Sequence, residues 1–303
     1  MVTYFFCDKN SFINFIKNCI FDNTRLIKKL MKSIYKLLLI FGLFTCIVSC
    51  KNNLPTYNDP IPKHDTFTIN SKNVNETRTI NVWVPDNYST STDSLMVMYM
   101  PDGGTKEDFP HIANTLAELI QSNKITPVIL VGIENTQRRR DLTGKTEVEE
   151  DKKIAPIVGG STELRAFVKD ELFPEINKRY RTTNKKGIIG ESLVGLFVIE
   201  TFLEQPDMFD VYIAMDPSLW WNNKYLIRTA KDDLAKFPAT PKKLWFAGSQ
   251  ATDISASTNQ LAEILKTAHL PNLEWTYSDE PKEDHSTIYR ATKEKALIWA
   301  LKK

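Results

Sequence analysis

Cysteine and histidine are scarce in this sequence, and their positions limit the chemistry that the chain can perform. All four cysteines lie at or before residue 50. The rest of the chain can therefore form neither a disulfide framework nor a cysteine-ligated metal site. The chain has four histidines, and only His269 and His285 lie in its C-terminal half. We expect no metal and no cofactor.

The sequence also lacks an excess of positive charge outside its N-terminal segment. Residues 1–49 carry seven basic and two acidic side chains, a net charge of +5, against +2 for the whole chain, which leaves −3 for the remainder. A mildly acidic domain has no electrostatic footprint for nucleic acid. We see no internal repeat, and the length of the remainder suits one domain with a large core.

The longest hydrophobic run near the N-terminus is too short for an ordinary membrane span. It covers residues 37–48, whereas a spanning helix needs about 20 apolar residues. A basic start at Met31 precedes this run and Ser49-Cys50 follows it. This pattern is typical of a bacterial lipoprotein signal, with Met31 as the true start and Cys50 as the lipidated N-terminus. We expect a lipid-anchored protein of the cell envelope, facing the periplasm or the surface; the alternative is a single membrane anchor.

The composition divides the chain into three parts. Residues 1–49 form the leader, and residues 50–64 form a tether that contains three prolines and is rich in asparagine. Residues 65–303 form the domain.

Apolar segments of strand length alternate with amphipathic helical segments along the domain. We predict an antiparallel pair at 67–69 and 79–85, further strands at 95–100, 127–133, 186–190, 211–215, 243–248 and 273–277, and helices at 111–121, 162–180, 193–204, 257–268 and 288–302. A kink is expected at Pro174. Alternating buried strands and helices predict an α/β fold with a mostly parallel central sheet and helices on both faces. In such sheets the chemistry lies at the carboxyl ends of the strands.

The segment Gly190-Glu-Ser-Leu-Val-Gly195 predicts a nucleophilic serine. A short β-branched run enters a Gly-x-Ser turn and a helical pattern follows at once. This is the strand–turn–helix context that exposes a serine hydroxyl on a sharp elbow. The usual pattern is Gly-x-Ser-x-Gly, and Val194 replaces its second glycine. Valine must find space in the packing there, which leaves open a chain that keeps the fold without the activity.

A serine hydroxyl needs a base, and the base needs an acid that fixes its tautomer. In this architecture the chain order is serine, acid, histidine. His285 lies in a polar loop after the last predicted strand, whereas His269 ends a helix on the surface. Asp253, after the penultimate strand, is the expected acid, and Asp216, after the preceding strand, is the alternative. Asp253 is also suited to cap the helix that follows it.

The negative charge that forms on the attacked carbonyl oxygen needs backbone N–H donors. The Leu193 amide is one predicted donor, and Gly103 or Gly104, after the third strand, is the other. Two features suggest substrate contacts. Arg138, the first of three arginines, could grip an anionic group or form a salt bridge. Trp220 and Trp221 could stack on a ring or belong to the core.

These residues resemble the esterase D / enterochelin esterase family of α/β-hydrolases. Besides the elbow, the similarity covers Val131-Gly-Ile-Glu-Asn with Arg138-Arg-Arg-Asp-Leu-Thr, Gly159-Gly-Ser-Thr-Glu-Leu-Arg-Ala-Phe, Asp216-Pro-Ser-Leu-Trp-Trp-Asn and Asp284-His-Ser. The resemblance implies the α/β-hydrolase fold and metal-free serine hydrolysis of a carboxylic ester, with Ser192 and His285 in their family roles. The substrate would be a siderophore ester or an acylated glycan. The alternatives are an inactive binding lipoprotein with the same fold, or an acyltransferase.

Overall fold

The computed structural model describes residues 31–32 and 58–302. The chain divides into two units, Met1–Thr56 and Tyr57–Lys303. Of the first unit only Met31 and Lys32, both helical, are described. The lipoprotein signal, Cys50 and the start of the tether lie outside the described residues. In the part of the chain that is described, no helix has the length and apolar character needed to cross a bilayer.

One eight-stranded sheet forms the centre of the second unit, in the order β1-β2-β4-β3-β5-β6-β7-β8. Its strands are β1 (Asp65–Ser71), β2 (Glu76–Trp83), β3 (Leu95–Pro101), β4 (Val128–Ile133), β5 (Thr182–Glu191), β6 (Val211–Met215), β7 (Lys242–Gly248) and β8 (Leu273–Asp279). β1 pairs antiparallel with β2, and β2 pairs antiparallel with β4. All other pairs are parallel, so the mostly parallel sheet is confirmed.

Helices cover both faces of this sheet. They are α1 (Phe109–Gln121), α2 (Arg138–Asp141), α3 (Glu149–Lys152), α4 (Ser161–Phe167), α5 (Phe173–Arg179), α6 (Leu193–Glu204), α7 (Trp221–Leu234), α8 (Thr252–Ala268) and α9 (Ile288–Leu301). One core cluster combines side chains of the strands with side chains of α6. A second cluster combines other strand side chains with side chains of α1 and α9. β4 and β6 are buried at every residue, which is why their sequences are continuously apolar rather than alternating.

The predicted long helix before β5 is interrupted just ahead of Pro174. Val168–Leu172 is a π-helical turn between α4 and α5. Pro174 is the second residue of α5 and has no N–H to donate to the preceding turn, and the π-helical turn directly before it accommodates the proline. The expected kink is therefore a widened turn rather than a break.

Residues 58–64, the end of the predicted tether, pack against the domain. Arg290 of α9 forms an ion pair with Asp59, and the side-chain amide of Asn114 donates a hydrogen bond of 2.8 Å to the Pro60 carbonyl. The His64 ring meets the Phe109 ring edge-on, with 5.3 Å between centroids. This short segment is thus fixed to α1 and α9 rather than extended away from them.

Candidate active site

Ser192 occupies a sharp turn between β5 and α6, as the sequence predicts. Its φ of 62° and ψ of −120° place it outside the usual regions for a residue with a side chain. Neighbouring backbone holds this conformation. The Ser192 N–H donates a hydrogen bond of 3.0 Å to the Met215 carbonyl at the end of β6, and the Ser192 carbonyl accepts from the Leu196 and Ser218 amides. Strain that persists because surrounding bonds fix it is typical of functional sites.

The valine in the elbow fits because a glycine faces it. Val194 is fully buried, and a Cβ added to Gly190 would lie 2.0 Å from Val194 Cγ1. Gly190 therefore provides the space that Val194 fills. The close approach to the next strand falls at Gly195 instead, where an added Cβ would lie 2.9 Å from the Met215 carbonyl oxygen.

Three side chains from three different loops form a continuous hydrogen-bonded chain. Ser192 Oγ lies 3.0 Å from His285 Nε2, and His285 Nδ1 lies 2.6 Å from Asp216 Oδ2. Because a carboxylate only accepts, Nδ1 carries the proton and Nε2 is left free to accept the Ser192 proton. The His285 side chain is 42% exposed, so a substrate can reach it, whereas the Asp216 side chain is fully buried.

Asp216, the alternative acid from the sequence, is the carboxylate bonded to His285, and Asp253 is not. Asp216 Oδ1 accepts a hydrogen bond from the Ser249 N–H at 2.6 Å, and Oδ2 accepts one from the Ser249 hydroxyl at 2.8 Å. α8 begins at Thr252, earlier than predicted, so Asp253 lies in its first turn. The Asp253 side chain is exposed there. An acidic residue in a first helical turn interacts favourably with the helix dipole.

Ser249 is a site residue that sequence reasoning missed. It holds both oxygens of Asp216 with its amide and its hydroxyl. The sequence feature that could have identified Ser249 is its position directly after Gly248, at the carboxyl end of the strand next to β6. Parallel neighbours end at the same edge of a sheet, so a hydroxyl there faces the loop after β6.

The charge around His285 favours its protonated form. The hydrogen bond that His285 Nδ1 donates to Asp216 is the largest cause that raises the pKa of His285, and the negative charge of Glu191 adds to it. Burial opposes this effect. Glu191 Oε1 lies 3.3 Å from the same nitrogen, His285 Nδ1. Glu191 thus contacts the base.

The predicted oxyanion donors do not all remain available. Leu193 is the first residue of α6, and the opening N–H groups of a helix have no partner within it, so this amide is placed to meet a developing negative charge. The Gly103 amide instead donates to the Ile133 carbonyl at 2.9 Å, and the Gly104 amide donates to Glu107 Oε2 at 2.7 Å. Both glycine amides are therefore engaged.

Gly103 has a packing reason to be glycine. A Cβ there would lie 2.2 Å from the Gly132 Cα, so the chain after β3 touches the backbone of β4. The glycine at this position thus serves contact with the neighbouring strand, whereas the sequence predicts an oxyanion donor there.

Among the predicted substrate contacts, Arg138 and Trp220 retain exposed surface and Trp221 does not. Arg138 is 35% exposed and binds both carboxylate oxygens of Asp102 at 2.8 Å through Nε. Trp221 is buried, and its Nε1 donates to the Gly144 carbonyl at 2.9 Å, which makes it a core residue. Trp220 is half-buried, with its ring edge-on to Trp221.

One group of possible metal ligands lies within the described residues, and it coincides with the site. Oxygen or nitrogen atoms of Glu191, Asp216 and His285 lie within 4.8 Å of one another. Asp216 and His285 Nδ1 are engaged in the hydrogen bonds described above, so this group serves the imidazole in its present arrangement.

Comparisons with known proteins identify the family and the fold. The family model named Esterase matches residues 71–297. The chain is 24% identical over 268 residues to the ferri-bacillibactin esterase BesA of Bacillus subtilis, covering 80% of this chain and 90% of that protein. Among solved structures, an IroE-like serine hydrolase from Shewanella oneidensis superposes with a TM-score of 0.72 at 23% identity, covering 78% of this chain and 79% of that one. The BES protein from Bacillus cereus superposes with a TM-score of 0.71 at 19% identity, covering 82% and 100%. The predicted α/β-hydrolase fold is confirmed.

Proposed function

The chain belongs to the Esterase family and is a carboxylic ester hydrolase, and from this premise we propose that it cleaves its ester through Ser192, His285 and Asp216. The single observation that supports the proposal is the unbroken line of hydrogen bonds from Ser192 Oγ to His285 Nε2 and from His285 Nδ1 to Asp216. This is the arrangement that a serine nucleophile, its base and an orienting acid require.

The first half of the proposed reaction forms an acyl-enzyme. Ser192 Oγ attacks the ester carbonyl carbon while His285 Nε2 takes the hydroxyl proton. The carbonyl oxygen becomes negative and is stabilised by the Leu193 N–H at the start of α6. The C–O bond to the alcohol then breaks, and His285 Nε2 returns its proton to the departing oxygen. Asp216 holds the imidazole in position and stabilises its positive form.

The second half releases the acid. Water enters, His285 Nε2 takes one of its protons, and the resulting hydroxide attacks the acyl carbon. The ester bond to Ser192 breaks, and the proton on Nε2 returns to Ser192 Oγ. The free serine is thereby regenerated, and no redox partner is needed.

We further propose a siderophore ester as the substrate. The relative BesA is named for ferri-bacillibactin, and it aligns with 80% of this chain. The exposed part of Arg138 offers a positive charge to an anionic ligand, and the half-buried Trp220 offers an aromatic surface.

The test compares wild type, Ser192→Ala and a matched serine control, Ser91→Ala, which changes a half-buried loop serine whose hydroxyl bonds to Asp93. p-Nitrophenyl acetate reports general esterase activity, and chromatography of a catechol trilactone, with and without iron, reports siderophore cleavage. We expect Ser192→Ala to lose activity at least a thousandfold, the scale seen when a triad member is removed, and Ser91→Ala to keep it. Equal rates for wild type and Ser192→Ala would refute the serine mechanism. Turnover of the nitrophenyl ester without cleavage of either trilactone would refute the substrate.

A further inference from the structure

Glu191 brings a second carboxylate to the base. It is the last residue of β5 and directly precedes Ser192, and its side chain is 17% exposed. Its Oε1 lies 3.3 Å from His285 Nδ1 and makes no hydrogen bond to any residue that the structure describes. A carboxylate oxygen that is withdrawn from water and faces only an imidazole has no structural bond to justify its position.

Several charged or titratable groups surround this carboxyl. The groups that interact with it electrostatically are Asp108, Arg138, Asp216, His285 and Tyr289. The pKa of Glu191 is raised to about 8, and burial is the largest cause of this increase. The charges of Asp108 and Asp216 also raise the pKa, whereas His285 and Arg138 lower it. The group therefore changes charge within the range in which a serine hydrolase works.

The Asp216 carboxylate is shared among three hydrogen-bond donors, so a second negative charge can add to the stabilisation of His285. It already accepts from the Ser249 amide, the Ser249 hydroxyl and His285 Nδ1. Each of these bonds spreads the charge of Asp216 over other donors. Glu191 Oε1 accepts none, so in its ionised form its charge acts on the imidazole next to it.

We propose that Glu191 is a positioning residue of the esterase, which in its ionised form stabilises the positively charged His285 imidazole that forms when Ser192 attacks. The proposal rests on the proposed function of Ser192 and His285. Glu191 does not exchange a proton with the substrate; it acts through His285.

This role gives the reaction a particular dependence on pH. Neutral His285 is the active form of the base, so kcat/KM first rises as the imidazole loses its proton. Ionisation of Glu191 near pH 8 then stabilises the imidazolium in the transition state and produces a second rise. In Glu191→Gln the second carboxylate is gone. Because Glu191 is uncharged while His285 loses its proton at lower pH, the first rise stays in place and only the second rise is lost.

The experiment records kcat and KM from pH 5 to pH 10 for wild type, Glu191→Gln and Glu204→Gln, with p-nitrophenyl acetate. For Glu191→Gln we expect a single rise at lower pH and a plateau kcat about tenfold lower at pH 9, the change equivalent to one pKa unit, with KM unchanged. Glu204 is the matched control because burial also raises its pKa, while its partner is Arg165 and not His285. Its variant should retain both rises. A Glu191→Gln profile with the same two rises as wild type would refute the proposal.

A second measurement does not depend on activity. NMR titration of the His285 ring in Ser192→Ala and in the Ser192→Ala, Glu191→Gln double variant reports the imidazole pKa directly. We expect the His285 signal of Ser192→Ala to show a second inflection near pH 8, after its own titration, that the double variant lacks; identical titration curves would refute the coupling even if all variants were active. If the wild type has no esterase activity, such a second inflection would retain the coupling and refute the proposed function. If Glu191→Gln does not fold, Glu191→Asp keeps the charge and should retain both rises; a single rise would refute the proposal.

Discussion

Replacing Asp216 by asparagine tests which carboxylate orients His285. Three donors point at the buried Asp216 carboxylate: the Ser249 amide, the Ser249 hydroxyl and His285 Nδ1. An asparagine side chain offers one acceptor oxygen and replaces the other with an NH₂ donor. The new NH₂ group then points at either Ser249 or His285, whose own N–H and O–H groups need an acceptor there. If it is His285, the proton moves to Nε2 and the imidazole can no longer accept the Ser192 proton.

The expected loss is large and can be separated from unfolding. A wrong imidazole tautomer lowers kcat by about 10⁴ in a serine protease triad, so we expect a loss of 10³ to 10⁴ for Asp216→Asn. Leaving buried donors without an acceptor lowers the free energy of unfolding by about 1–3 kcal/mol. Urea unfolding, followed by circular dichroism, measures that decrease, and initial rates with p-nitrophenyl acetate measure activity in the folded protein.

Asp253→Asn is the matched control, because it makes the same chemical change in the loop region that the sequence favoured. Asp253 is exposed at the start of α8, so its variant should keep at least half of the wild-type rate. A more than tenfold loss in Asp253→Asn, together with near wild-type activity in folded Asp216→Asn, would refute the assignment of the acid.

Two further predictions concern stability. Gly190→Ala places a methyl group 2.0 Å from Val194 Cγ1 and should lower the free energy of unfolding by about 1–3 kcal/mol in urea titration, an effect that Val194→Ala should partly reverse; additive losses in the double variant would contradict the packing argument. The hydrogen bond from Arg140 lowers the pKa of Glu76 from 4.5 to about 2, so this pair stabilises the fold above pH 4.5 and the contribution is lost as the pH falls towards 2. Glu76→Gln should therefore reduce stability at pH 7 and have a diminishing effect between pH 4.5 and pH 2, whereas a constant difference across that range would contradict the pKa.

The nucleophile and the base could be predicted from sequence because each depends on a local pattern. Ser192 lies between a short strand and a helix, and His285 lies in the only histidine-containing loop after the last strand. The acid could not be fixed in this way. Asp216 and Asp253 both follow strands of the same sheet, and only the three-dimensional course of the Ser249 loop decides which one meets the imidazole.

Two other features were hidden for identifiable reasons. α7 has left-handed backbone at Asn222, Asn223 and Lys224, so its start lacks the 3.6-residue periodicity that reveals a helix. The sequence also does not show that the amides of Gly103 and Gly104 are occupied. The Gly103 amide bonds to Ile133 on the neighbouring strand, and the Gly104 amide bonds to Glu107 in the same turn. Whether a backbone N–H is occupied depends on neighbours that a linear pattern does not reveal.

Because Ser249 holds Asp216 with two hydrogen bonds, two adjacent loops contribute different groups to the site. The loop after β6 carries the charge, and the loop after β7 supplies only an amide and a hydroxyl. An engineer could therefore graft a different β7–α8 connection, of another length and without any acidic residue, provided that a serine or threonine stays at its first position. The proton-handling residues would then stay as they are.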